Sequence, residues 1–136
     1  MDGRISVVDL EIASGAATSE ALNLLRRPGA NGTFSISNNR TPSRVVRVGM
    51  PAAWTAADLR IEVQAFKDDA WRLLTGPDGT VVSLVVAADQ AVYLLPEHHV
   101  ALYGAYAIRF LSDNGSGTPT NQGADRVLSV ALEGLG

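Results

Sequence analysis

The two histidines of the chain, His98 and His99, stand side by side, and chemistry there would be metal ligation or general base catalysis. Adjacent residues do not share a face of a strand or a helix. The further ligands a metal would need, Glu97 or Asp113, have no supporting spacing. No Gly-x-Ser-x-Gly turn or other nucleophile signature accompanies the pair. A solvated turn is the simpler reading. Asp113-Asn114-Gly115-Ser116-Gly117 is oxygen-rich like a calcium loop, yet it lacks the regular ligand spacing and the closing Glu, and reads as a flexible surface loop. Asp68, Asp69 and Asp78 fall in turn sequences, where carboxylates accept backbone N–H groups. Gly115-x-Gly117 precedes neither a lysine nor a helix signal, so it is not a phosphate loop. With no cysteine, the chain has no disulfide, thiolate zinc site or cysteine nucleophile. We expect no catalytic residue, no metal and no cofactor, and no enzyme.

Charge is the next candidate for function. The net charge is −3, yet residues 21–57 hold Arg26, Arg27, Arg40, Arg44 and Arg47 and no acid at all. Ten of the eleven basic residues are Arg, the cation that forks carboxylates and tolerates interfaces better than Lys. The segment reads as a docking surface for an acidic partner or, more blandly, as scattered solvated arginines. Nucleic acid is not the expected partner: the chain is acidic overall, and Phe34 is the only aromatic within the Arg26–Arg47 stretch. Trp54, Trp71, Tyr93, Tyr103 and Tyr106 have the side chains to stack on sugars, but core packing is the commoner fate of such residues. Trp54, in a proline-alanine corner, suits a plug at one end of a sandwich.

These residues need elements to position them, and the periodicity is that of strands. Length 136 suits one domain, and 13 Gly with 6 Pro suit a turn-rich chain. Ile5–Ile12 reads as the first strand, and Glu20–Leu25, compatible with helix or strand, reads better as a second strand before the turn at Arg26–Gly32. Thr33–Ser37 alternates cleanly. Arg44–Val48 follows, and then Leu59–Val63, whose apolar residues alternate with Arg60, Glu62 and Gln64. Trp71–Leu74 and the Gly76-Pro77-Asp78-Gly79 turn suggest a hairpin. Val81–Val86 suits a strand covered on both faces, Ala91–Leu95 another, and Pro96–Val100 one helical turn. Tyr106–Leu111, a polar loop over Ser112–Ala124, and Val127–Leu132 complete the series. The expected fold is all-β, an antiparallel, jelly-roll-like β-sandwich forming one domain over residues 1–136. No apolar run is long enough to span a bilayer. Asp2, Asp9 and Glu11 occupy the stretch where a secretory signal would be apolar, so no membrane partner and no export are expected.

Met50-Pro51-Ala52-Ala53-Trp54-Thr55-Ala56-Ala57-Asp58-Leu59 is a distinctive string. With the alternating strand through Val63, Trp71–Leu74 before Asp78-Gly79-Thr80, Ile108-Arg109, Gly117-Thr118, Asn121-Gln122, Ala124-Asp125-Arg126 and the closing apolar strand, it resembles small virion structural proteins of tailed bacteriophages. Such proteins are usually encoded among head genes. The resemblance covers residues 44–132 and departs at His98–Tyr103, where these proteins more often carry a plainer proline-and-phenylalanine turn. It implies a capsid decoration or cement protein on the virion surface, made in the host cytoplasm. Its partners would be the major capsid protein and further copies of itself, a trimer being favoured. Arg26, Arg27, Arg40, Arg44 and Arg47 would then be the capsid-docking residues. The alternative is a glycan- or receptor-binding module of a head fibre or tail tip, using exposed aromatics and the Ser112–Ala124 loop.

Overall fold

A computed structural model describes residues 5–24, 43–98 and 105–134. Nine strands are described: β1 (Ile5–Ile12), β2 (Leu22–Asn23), β3 (Ser43–Gly49), β4 (Asp58–Gln64), β5 (Arg72–Leu73), β6 (Ser83–Leu84), β7 (Ala91–Tyr93), β8 (Ala107–Asp113) and β9 (Arg126–Gly134). They form two antiparallel sheets. The first has the order β1-β9-β3-β7 and the second β2-β8-β4-β5, with β6 also on β4. The fold is an all-β sandwich.

The pairing is nested. β1 pairs with β9, β2 with β8, β3 with β7, and β4 with both β5 and β6. Successive pairs alternate between sheets, as though one long antiparallel hairpin had been rolled around its own length. Such a roll gives each sheet one face to the other and one face outward.

Alternation supplies the core. Leu10 and Ile12 of β1, Val45 and Val48 of β3, and Leu128, Val130 and Leu132 of β9 meet Leu22, Leu59, Ile61, Leu84, Ile108 and Phe110 of the second sheet. Each strand points every second side chain inward, and most of these side chains are fully buried. Met50, Leu74 and Leu94 close the layer from the connections. At about 25 cal/mol per Å² of apolar surface, this layer is the main source of stability.

One strand cannot alternate strictly. Val45 pairs with Leu132 and Arg47 with Ala131, so Val46 is an extra residue in β3. This bulge resets the phase. Arg44 and Arg47 both turn outward, while Val45 and Val48 turn inward with no exposed surface. The bulge is tied down by the Val46 carbonyl, which accepts the Leu94 N–H at 3.0 Å.

Two expectations change. Val81–Val86 is not one doubly covered strand: Val81 makes an isolated bridge to Thr75, only Ser83–Leu84 forms a strand, Leu84 is buried, and Val85 is 79% exposed. The edge of β4 is shared end to end, Glu62 and Val63 pairing with β5 and Leu59 and Arg60 with β6, which leaves two residues of edge for each. The Ser112–Ala124 stretch is also no free loop. Ser112 and Asp113 are the buried end of β8, Gln122 is 1% exposed, and Pro119 bridges back to Asp113. Residues 96–98 are helical, as expected at Pro96. The strand expected at Thr33–Ser37 lies outside the described residues.

Candidate functional site

The five arginines expected to dock divide sharply. Arg26, Arg27 and Arg40 lie outside the described residues. Arg44 donates from Nε to Glu133 Oε1 at 2.7 Å across the β3–β9 pair, so it is already neutralised within the chain. Arg47 is exposed, and no described residue forms an ion pair with it.

Arg47 stands on the outer face of the first sheet, and the registers define that face. Val7, Ala131, Arg47 and Tyr93 form one row across all four strands. Asp9, Ser129, Gly49 and Ala91 form the next. Val7 is 63% exposed, Tyr93 70%, Ile5 59% and Val127 43%. One row carries only small side chains, Ser129, Gly49 and Ala91 beside Asp9: at Gly49 an added Cβ would meet Ser129 Cβ at 3.4 Å. The face therefore mixes apolar and charged side chains, with Asp9 and Glu11 on the edge strand β1, and Arg47 and the Arg44–Glu133 pair on the inner strands β3 and β9. Among the described residues neither carboxylate has an ion-pair partner.

The outer face of the second sheet is the opposite case. Glu62 faces Arg109 across β4 and β8, with Arg109 Nε donating at 2.6 Å, and the Arg109 guanidinium lies 4.5 Å from the Trp71 ring centre. Arg60 Nε lies 3.3 Å from Asp113 Oδ1, that carboxylate being buried. Two ion pairs thus lie within this face, although Asp58 beside them has no ion-pair partner among the described residues and Arg60 Nε makes no hydrogen bond there.

The end of the sandwich holds the remaining candidates. Asp113 Oδ1 accepts the N–H groups of Gly115 at 2.7 Å and Gly117 at 3.2 Å. Both glycines have positive φ, 91° and 105°, a conformation that favours residues without a Cβ. The apparent calcium loop is thus a turn closed on its own carboxylate. His98 is likewise engaged locally, its Nδ1 accepting the Leu95 N–H at 3.2 Å, and His99 lies outside the described residues. Among the described residues no grouping of three or more His, Cys, Asp or Glu side chains is placed to hold a metal ion. No helix among them is long and apolar enough to cross a membrane.

Trp54 is half-buried and packs against the core, as a plug should, with its Nε1 donating to the Ala57 carbonyl at 3.1 Å. It also lines a shallow cleft of about 420 Å³ with Asp58, Val86, Ala87 and Asn114. Sequence reasoning missed Gln122. Its Oε1 accepts from Thr55 N–H at 2.9 Å, and its Nε2 donates to the Thr55 carbonyl at 3.1 Å and to Ser112 Oγ at 2.9 Å. That side chain binds the Trp54 corner to the end of β8.

Comparison with known protein families, with curated proteins and with solved structures finds no match.

Proposed function

We propose that the chain is a virion structural protein of a tailed bacteriophage, a capsid decoration or cement protein that binds the major capsid lattice and stabilises the shell. The observation that carries this reading is the contrast between the two outer faces. The second sheet pairs Glu62 with Arg109 and Arg60 with Asp113, while the first exposes Ile5, Val7, Tyr93 and Val127 beside Asp9, Glu11 and Arg47, which have no ion-pair partner among the described residues. Exposed apolar side chains gathered on one sheet face support a contact with another macromolecule. The Met50–Leu59 string and its companions add the resemblance to virion proteins, and the nested pairing supports a jelly roll, a form common in capsid proteins.

In this reading the protein acts by mass action. It buries surface only on the assembled shell, so it favours that state over free subunits. The segment containing Arg26, Arg27 and Arg40 contributes the docking charge. The protein is made in the host cytoplasm and resides on the capsid surface. The test is occupancy: purified protein is added to shells lacking it, and copies per particle are counted by quantitative gel and by electron microscopy. Even coverage of the lattice supports decoration. Binding at a single vertex, or none, overturns it.

The Trp54 cleft favours a second reading, a glycan-binding module of a head fibre or tail tip. An indole beside the Asp58 carboxylate and the Asn114 amide is the chemistry that holds sugars. Glycan-array binding that is abolished by Ala87→Trp, a substitution at an exposed cleft residue, would support it. Absence of binding to any glycan would remove it.

A further inference from the structure

We infer that the outer face of the first sheet is a two-fold contact, and that its occupant is a second copy of this chain. The inference rests on the reading of that face as a protein contact and assigns it to a second copy, so that shell docking falls to the segment with Arg26, Arg27 and Arg40.

The charge layout is self-complementary. Acids lie on β1 at one edge, Asp9 and Glu11, and Arg47, which has no ion-pair partner among the described residues, lies on β3, with β9 between them. A two-fold axis running along β9 in the plane of contact lays β1 of each copy over β3 of the other. Arg47 then stands over Val7 and beside Asp9, one row along, and the same contact forms twice. Arg44 keeps its own partner, Glu133.

The shape agrees with the charge. Along the axis lie Ala131 and Ser129, flanked by Gly49 and Ala91, side chains small enough for two sheets to approach at about 10 Å. Tyr93 on the β7 edge overhangs the partner's β1 and covers its exposed Val7. Three overlapping strands at about 4.8 Å and seven residues at about 3.3 Å give a contact of roughly 14 by 23 Å. Two such faces cover about 660 Å² in total, below the roughly 1,000 Å² of a stable specific interface, so the contact is a weak one. The dimer is therefore expected to dissociate on dilution.

A two-fold dimer also gives the proposed brace its second arm. Each copy carries one arginine segment, so the pair presents two, and a shell contact made twice gains from effective concentration.

The experiment is sedimentation of the purified chain over a concentration series, with charge-swap variants. Wild-type protein should sediment as a dimer that dissociates on dilution. Arg47→Glu and Asp9→Arg, each at an exposed position, should weaken the dimer about tenfold or more. The double variant Asp9→Arg with Arg47→Glu should restore it, a rescue that simple unfolding or lost apolar contact would not give. Thermal melts check that each single variant is folded. A monomer at every concentration, a trimer, or failure of the double variant to restore association would overturn the inference. Shell occupancy is read separately: a dimer that never binds shells sinks the decoration role alone, and a monomer that decorates them sinks the dimer alone.

Discussion

Gln122 and Thr55, 67 residues apart in the chain, hold each other by two hydrogen bonds, the Gln122 amide accepting the Thr55 N–H and donating to the Thr55 carbonyl. A side chain here does what a strand neighbour does elsewhere. It satisfies the backbone of a corner that no strand reaches, and Arg126 adds a bond from its Nη2 to Thr55 Oγ1 at 3.2 Å.

Truncation of that amide should therefore cost more than an average loop substitution. Gln122→Ala leaves the part-buried Thr55 N–H and carbonyl without this partner and removes a donor from Ser112 Oγ, which keeps its bond to the Thr120 carbonyl, and about 1–3 kcal/mol of stability should be lost. Urea unfolding would read this as a lower midpoint at unchanged slope. A change below about 0.5 kcal/mol would mean that water replaces the amide at no cost.

Removal of the Asp113 carboxylate strands a charge. Asp113→Ala leaves Arg60, whose side chain is 12% exposed, beside two unanswered glycine N–H groups, and should cost about 3–5 kcal/mol. Adding Arg60→Met should recover a good part of the loss, because the stranded guanidinium is then gone. A double-mutant cycle with no coupling would show that the pair is solvated in the folded protein.

The Glu62, Arg109 and Trp71 group is half-exposed, and a modest effect is expected. Arg109→Met should cost about 1 kcal/mol through the lost ion pair and the lost contact with the indole. The salt dependence of stability should decrease with it. Equal salt dependence in the variant and the parent would count against the pairing.

Acid should act through two turn carboxylates. The Thr80 N–H at 2.9 Å and the Thr80 side chain hold Asp78 below the ordinary carboxylate value of 3.8. At Asp69 desolvation pulls upward, but hydrogen bonds with the backbone of Ala65 and Ala70 and the Arg72 guanidinium outweigh it, and its pKa is also lowered. A pKa lowered by folding stabilises the folded state above the unfolded value and ceases to do so as pH falls through the folded one. The melting temperature of the parent should therefore fall more steeply below pH 3.8 than that of Asp69→Asn with Asp78→Asn. Parallel curves would show that neither carboxylate is held by the fold.

Legibility followed periodicity. β4 was readable because Leu59, Ile61 and Val63 alternate with polar residues, a pattern set by one wet and one buried face. β1 was readable as a mixed β-branched run closed by small turn residues, and β9 as an apolar run after a polar stretch, without strict alternation in either. Val81–Val86 was not, since an apolar run does not reveal that its partner strand has only two residues of edge to offer. Gln122 was hidden for another reason: it lies in a polar stretch, and its partner is distant in sequence, so no local signal marks it. The arginines were visible as a segment, but only cross-strand register separates Arg44, which is paired, from Arg47, which has no ion-pair partner among the described residues.

The bulge at Val46 lets β3 carry one residue more than its partner without turning a charge inward. Were it ironed out with Val46 retained, strict alternation would bring either Arg44 or Arg47 into the space between the sheets, a penalty of several kcal/mol. Deleting Val46 has no such consequence: Arg44, Val45, Arg47 and Val48 then alternate in the register they already hold, and the loss is the Val46 carbonyl that accepts the Leu94 N–H. A surplus residue is thus absorbed as a kink in the backbone, and the sidedness of every neighbour survives it.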